Sequence, residues 1–190
     1  MKPPSKAKNF RVVGIVLKRM NVGETDRVVS LLTAEHGRLT VVAKGVRKVS
    51  SSNRALLEPG NYIQAYLIKT KTMPLLTQAK MIDDCAELRT ELAGIRRLSQ
   101  FLEILDRLFV EEELEPALFK QVLSLREGIV KQQLHNGQIK QALENLVAAL
   151  GYQNPRDSEY DSVLDYVAAL ADRPMRSFDY LQVKKQNKTK

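Results

Sequence analysis

The chain has 190 residues, of which 44% are hydrophobic and 27% charged, and its formal net charge is +8. This length suffices for one large domain or two small ones, and the composition is that of a globular protein. No apolar run approaches the ~20 residues that span a bilayer, and the basic start of the chain lacks the apolar core of a secretory signal. We therefore expect a cytoplasmic protein without a membrane partner.

Cysteine and histidine are too scarce for the common metal sites. The one cysteine, Cys85, excludes an internal disulfide and a multi-cysteine zinc site. The two histidines, His36 and His135, lie far apart in the sequence. We predict that the protein binds no metal.

The positive charge is concentrated in the first half of the chain. Residues 1–82 hold 15 Lys and Arg against four acidic residues, whereas residues 83–190 hold 15 against 18. An asymmetry of this size indicates a nucleic-acid or membrane partner for the basic half. A merely solubilising surface would interleave both signs.

Alternating apolar positions and β-branched residues predict five strands in the first half. We expect a short helix over residues 54–57, between the third and fourth strands, capped by Ser52 or Asn53 and ended by Pro59-Gly60. This is the element order of an OB-fold barrel, a fold that often binds oligonucleotides on one face. The predicted strands are Phe10 to Arg19, Arg27 to Thr33, Leu39 to Ala43, Tyr62 to Thr70 and Leu75 to Ile82.

Apolar residues recur every three or four positions from Asp83 onward, which predicts helices. One long helix is expected over residues 86–110, a second from Pro116, a third that stops at Gly151 and a fourth that begins near Ser158. Leucine stripes at this spacing are typical of a bundle core, and a partner groove is the alternative.

The predicted fold class is therefore α+β, a five-stranded OB-fold barrel followed by an all-α unit. We divide the chain into a disordered basic arm (1–9), an OB-fold nucleic-acid-binding domain (10–82), a helical domain (83–182) and a disordered basic tail (183–190).

Seven basic residues lie on or beside the predicted strands, where cations arrayed along a groove would contact phosphates and release counterions. Only Phe10, Tyr62 and Tyr66 could stack on bases in this half. We therefore expect binding that is mainly electrostatic, weakly sequence-dependent, and tolerant of single and double strands. The candidate nucleic-acid-binding residues are Lys18, Arg19, Arg38, Lys44, Arg47, Lys48 and Arg54.

Candidates for catalysis are few. Two carboxylate pairs, Glu24 with Asp26 and Asp83 with Asp84, could bind Mg²⁺ in a nuclease. We favour the alternative that the first pair shapes a turn and the second caps a helix. Gly45 is followed by Val-Arg-Lys, which is not an ATP-binding loop. We expect no enzymatic activity and no cofactor.

Several segments of the chain, taken together, match a known pattern. They are Gly14 to Leu17, Gly23 to Asp26, Leu31 to Leu39, Val42 to Lys48 and Leu57 to Gly60. In order and spacing they resemble the N-terminal domain of the bacterial recombination mediator family RecO. Four further segments resemble later parts of that family: Leu102 to Leu108, Pro116 to Phe119, Leu150 to Tyr152 and Arg173 to Ser177.

The resemblance implies a cytoplasmic, nucleoid-associated DNA repair protein that binds DNA and anneals complementary strands. It also implies that RecR and the single-strand-binding protein are partners when RecA is loaded at gaps. The basic half alone also allows an OB-fold RNA-binding or ribosome-associated protein.

The sequence departs from the family pattern after Tyr152. Many members carry a cysteine-rich zinc module there, whereas Gln153 to Asp157 contains no cysteine. We therefore expect a shortened member without the zinc module.

Overall fold

A computed structural model describes residues 9–177, apart from the side chain of Arg89. Five strands come first: β1 (Asn9–Val22), β2 (Asp26–Thr33), β3 (Gly37–Ala43), β4 (Tyr62–Ile68) and β5 (Leu75–Asp83). Four helices follow: α1 (Leu92–Leu108), α2 (Pro116–Val130), α3 (Asn136–Ala149) and α4 (Val163–Leu170). The predicted α+β class is confirmed. The predicted arm and tail fall outside the described residues, except that Asn9 is the first residue of β1. The domain boundaries stay a prediction.

The five strands close into a barrel in the order β1-β2-β3-β5-β4, which is an OB-fold. The long β1 pairs with β4 through its first half and with β2 through its second, with an irregularity between Val16 and Lys18. The barrel closes where β3 runs parallel to β5, at Val42 and Leu75. Alternate residues fill the interior, among them Val12, Val29, Leu31, Leu39, Val41, Ile63 and Leu67.

The barrel and the helices share a second core. Ile15, Leu17 and Leu32 of the barrel belong to the same buried cluster as the inward faces of the helices. Most of the predicted leucine stripe of α1 is buried there, as a bundle core requires, although Leu92 and Ile95 at the start of α1 are exposed. The apolar spacing of the helices therefore serves to pack them on the barrel as well as on each other.

Backbone contacts bind the β2–β3 turn to the segment after α1. The Arg38 N–H donates to the Val110 carbonyl at 2.8 Å, and the Leu114 N–H donates to the Ala34 carbonyl at 2.8 Å. Gly37 has a φ of 55°, and a Cβ there would lie 2.2 Å from the Glu112 carbonyl oxygen. Only glycine tolerates both the positive φ and the close approach of this carbonyl. The β2–β3 turn and the segment after α1 therefore pack in direct backbone contact.

A buried arginine makes the second junction between barrel and helices. Arg126 of α2 is 3% exposed. Its guanidinium donates to the Gly60 carbonyl at 2.7 Å, to the Asp83 carboxylate at 2.6 Å, and to the carbonyls of Asp83 and Asp84 at 3.1 and 3.3 Å. One side chain thus ties α2 to the chain before β4 and after β5.

The predicted helix over residues 54–57 is wrong, because the segment folds as consecutive turns. The side-chain amide of Asn61 donates to the carbonyls of Ala55 and Leu56, both at 3.1 Å. The Asn53 side chain accepts from the Ala79 N–H of β5 at 3.1 Å instead of capping a helix. The segment keeps one helix-type hydrogen bond, from the Leu57 N–H to the Asn53 carbonyl at 3.3 Å, and Asn61 takes the next carbonyls.

The predicted helix over residues 86–110 is interrupted. A 3-10 turn covers Glu87–Thr90, and Glu91 is extended (φ −115°, ψ 129°) before α1 begins. The buried Leu88 side chain packs directly against Gly94, and this fold-back requires the break.

The fourth helix begins later than predicted. Residues Pro155–Asp157 form a 3-10 turn, and Ser162 caps α4 by accepting from the Asp165 N–H.

Candidate nucleic-acid interface

Three loops of the barrel meet at the C-terminal end of β3. The Arg47 N–H and guanidinium donate to the carbonyls of Thr25 and Gly23 in the β1–β2 loop, both at 2.9 Å. On the other side, the Val42 N–H donates to the Pro74 carbonyl at the end of the β4–β5 loop at 2.9 Å. We call Lys44, Arg47 and Lys48 the loop corner.

The loop corner has a fixed backbone. Gly45 has a φ of 64°, and the Lys48 N–H closes a turn on its carbonyl at 3.1 Å. The Val46 side chain is 2% exposed and anchors the turn in the barrel core. Because Val46 points inward, the charged residues on either side of it are held at the surface.

Asp26 orients the loop corner. Its carboxylate accepts from the Gly45 N–H at 2.7 Å and from the Thr25 hydroxyl at 3.0 Å. The Gly45 N–H, the Thr25 hydroxyl and the nearby charges of Lys44 and Lys48 together hold the pKa of Asp26 below its usual value. Asp26 is therefore ionised at neutral pH and acts as a structural residue of this turn.

The cations of the loop corner are available to an external anion. Within residues 9–177, no carboxylate oxygen lies within 4.0 Å of the side-chain nitrogens of Lys44, Arg47 or Lys48. Lys44 and Lys48 are exposed. Lys69 and Lys71 of the β4–β5 loop are also exposed, and the sequence prediction missed them. The signal that could have found them is their place in a loop that commonly borders the ligand in OB-folds.

Three of the other predicted cations already have carboxylate partners. Lys18 and Arg38 contact the carboxylate of Asp106 on α1, at 3.6 and 3.5 Å. Ser30 of β2 donates to the same carboxylate at 3.1 Å. Asp106 thus docks α1 on one end of the barrel face, and the two cations are partly neutralised.

Arg19 and the buried Arg27 flank a second carboxylate, Glu58. Arg19 pairs with it at 3.0 Å, and the buried Arg27 pairs with it at 3.3 Å. Arg27 also donates to the Arg54 carbonyl at 3.2 Å, while the Arg54 residue itself is exposed. Burial, followed by the charge of Arg19, lowers the pKa of Arg27. Of the seven predicted residues, the structure thus places three at the loop corner. Three others, Lys18, Arg19 and Arg38, lie beside the carboxylates of Asp106 and Glu58.

An apolar strip on the outer barrel face leads away from the loop corner. Met20 of β1 lies opposite Val28 of β2, which lies opposite Val42 of β3. The Met20 side chain is 55% exposed, and the other two are half-buried. We call these three residues the outer strip. It offers apolar surface without aromatic rings.

The aromatic residues proposed as stacking platforms have other contacts. Phe10 packs edge-to-face against His36, with ring centroids 5.5 Å apart, and Lys80 lies 5.9 Å from the Tyr66 ring centroid. Tyr62 is half-buried, and burial raises the pKa of its hydroxyl. The geometry therefore favours electrostatic over stacking interactions.

Three of the four carboxylates considered for metal binding, those of Asp26, Asp83 and Asp84, are held by protein groups. Asp83 pairs with Arg126, and Asp84 accepts from the Ala86 N–H at 3.1 Å. Among the described residues, no group of three or more His, Cys, Asp or Glu could hold a metal ion. In the same part of the chain, no helix is long and apolar enough to cross a membrane.

Comparison with known proteins gives the following similarities. Residues 8–84 match the family described as Recombination protein O N terminal. The chain is 36% identical to the DNA repair protein RecO of Heliobacterium modesticaldum over 99 residues, which cover 52% of this chain and 36% of that protein. It is 35% identical to the DNA repair protein RecO of Salinibacter ruber over 115 residues, which cover 60% of this chain and 44% of that protein.

The match to residues 8–84 contains every N-terminal segment that carries the resemblance, which is thereby confirmed. The chain spans less than half the length of these two relatives. One solved structure, that of the S. pombe Stn1-ten1 complex, contains a similar chain with 16% sequence identity. The match covers 50% of this chain and 75% of that chain. Its TM-score of 0.34 is too low to support an argument.

Proposed function

We propose that this chain, which belongs to the RecO family through its N-terminal domain, is a non-catalytic DNA-binding mediator of recombinational DNA repair. The relatives are named DNA repair proteins, and the family resemblance adds strand annealing to that role. The chain binds single- and double-stranded DNA and brings complementary single strands together.

The loop corner is the observation that supports this proposal most. Its three cations stand at the convergence of three loops of an OB barrel, without a carboxylate within 4.0 Å among the described residues. Loops at this position commonly contact oligonucleotides in OB-folds. Phosphates are bound by such cations with release of counterions, whatever the base sequence.

Electrostatic binding also explains why annealing needs no catalytic group. Two single strands repel each other through their phosphates, and a cationic surface that neutralises part of that charge lets them approach. The outer strip lacks aromatic rings that would trap bases by stacking, so the bases stay free to pair.

In this proposal the protein acts with RecR and the single-strand-binding protein when RecA is loaded at gaps. These partners are taken from the family. The helical part carries exposed surface for such contacts, and no residue of it is assigned to a partner.

The test is annealing of two complementary oligonucleotides coated with single-strand-binding protein, followed by fluorescence quenching. We expect the protein to accelerate annealing, and a variant with Lys44, Arg47 and Lys48 replaced by alanine to lose most of the acceleration. A protein that leaves the annealing rate unchanged would contradict the proposal. Binding of structured RNA in preference to single-stranded DNA would favour the RNA-binding alternative instead.

A further inference from the structure

A second cationic surface lies between the barrel and the helices. A cleft of about 1100 Å³ is bordered by β1, α1 and the segment after α4. Six basic residues line it, against two carboxylates, Glu103 and Asp106. The six are Lys18, Arg19, Arg38, Arg107, Arg173 and Arg176.

Both carboxylates of the cleft are already engaged. Asp106 contacts Lys18 and Arg38. Glu103 accepts from the N–H groups of Arg176 and Ser177 at 2.8 and 2.7 Å, and from Arg107 at 3.3 Å. The cleft therefore has an excess of positive charge that its own acidic residues do not neutralise.

Arg173 and Arg176 supply the free part of that charge. Both are exposed, and among residues 9–177 neither guanidinium has a carboxylate within 4.0 Å. Their backbones are fixed, because the Arg173 N–H donates to the Ala168 carbonyl and the Arg176 N–H to Glu103. Two mobile cations on an anchored segment are suited to phosphate contacts.

The cleft is continuous with the surface that leads to the loop corner. Lys18 lines the cleft and lies two residues from Met20 of the outer strip on the same strand. Arg38 and Lys44 mark the two ends of β3, about 20 Å apart at ~3.3 Å per residue. Cations thus stand at both ends of this outer face, and between them lie Thr40, Ser30 and the outer strip. The arrangement fits a strand whose phosphates contact the cations while its bases face away from the protein.

We propose that the cleft extends the DNA site of the loop corner, so that one single strand runs from the loop corner over the outer strip and ends against Arg173 and Arg176. This inference rests on the proposed function. The occupant is a single strand, because a cleft of about 1100 Å³ has room for a few nucleotides and not for a duplex, whose major groove alone is about 12 Å wide.

The test compares oligothymidylates of two lengths. One strand of a duplex carries a phosphate per about 3.4 Å of axis, and an unstacked single strand is more extended, so about 4 nucleotides cover the 20 Å face and about 15 also reach the cleft. The variant replaces Arg173 and Arg176 by alanine, which keeps the backbone hydrogen bonds. The control replaces Lys120 and Lys140, which lie on α2 and α3 and do not line the cleft, so that both variants lose the same charge.

We expect the cleft variant to bind the long oligonucleotide about tenfold more weakly than the wild type, and the short one equally well. Its salt slope for the long oligonucleotide should fall by about 1.4, at ~0.7 per phosphate contact of a single strand. The Arg173→Lys/Arg176→Lys variant should retain binding, and the Lys120→Ala/Lys140→Ala control should bind both lengths as the wild type does.

Equal affinity of wild type and cleft variant for the long oligonucleotide would overturn the extension and leave the loop-corner site standing. A loss of affinity that is the same for both lengths, or shared by the control, would also overturn it, since that would reflect net charge. Failure of the wild type to bind either length would instead refute the proposed function itself.

Discussion

Replacing Arg126 by alanine should destabilise the fold by about 3 to 4 kcal/mol. The guanidinium is buried and makes four hydrogen bonds, three of them to backbone carbonyls that have to be satisfied once buried. Hydrogen bonds from a charged group contribute about 1.5 to 3 kcal/mol each. The net loss is smaller than the sum of these hydrogen bonds because the Asp83 side chain is 51% exposed. Water can therefore hydrogen-bond to its carboxylate once the guanidinium is removed.

The assay is urea and thermal unfolding, both followed by far-UV circular dichroism. Because the barrel and helices share a buried cluster, we expect one cooperative transition for the wild type. In Arg126→Ala the melting temperature should fall by about 10 °C. Arg126→Lys should recover part of the loss, since one ammonium cannot reach all four acceptors. The control Arg96→Ala, on the exposed side of α1, should stay within about 0.5 kcal/mol. A loss below about 1 kcal/mol for Arg126→Ala would refute the reasoning.

Three further predictions test other parts of the structure. In unfolding experiments, Gly37→Ala should lower the free energy of unfolding by about 3 kcal/mol or more, because the added Cβ would overlap backbone atoms. Gly23 has a similar φ of 56° but open space around it, so Gly23→Ala should lower it by only about 1 kcal/mol. Similar losses for the two variants would contradict this. Burial alone would raise the pKa of Glu103, but the N–H groups of the C-terminal segment outweigh it and lower that pKa from 4.5. The stability that Glu103 contributes is therefore fully present above pH 4.5 and is lost as the pH falls through the lower pKa of the folded state. Unfolding of Glu103→Gln should accordingly depend less on acid pH than unfolding of the wild type. An unchanged pH profile would contradict this. Asp106→Asn should release two cations and strengthen binding of single-stranded DNA in anisotropy titrations, with a salt slope steeper by up to about 1.4; weaker binding by a folded variant would contradict it.

The strands could be predicted because apolar, β-branched runs bounded by turn residues mark them in the sequence. In β3 the buried and half-buried residues alternate along its whole length, as period two requires. The helix over residues 54–57 was wrong because its carbonyls bond to Asn61 and its capping residue to β5. The contact to β5 joins residues 26 positions apart and leaves no trace in a local window.

The candidate site shows the same limit. The loop corner follows from sequence because the glycine turn and its cations are adjacent in the chain. Arg38 is 68 residues from Asp106, and no spacing rule could show that α1 would neutralise it. The cleft was also invisible, since Arg173 and Arg176 meet Lys18 only after the helices have folded back on the barrel.

The salt dependence of binding to single-stranded DNA tests the central claim most directly. The measurement compares the wild type with the variant Lys44→Ala/Arg47→Ala/Lys48→Ala by fluorescence anisotropy at several salt concentrations. The account predicts a steep log–log slope for the wild type and a slope lower by about 2 for the variant, at ~0.7 per lost phosphate contact. A nearly flat slope for the wild type, or the same slope for a folded variant, would contradict it.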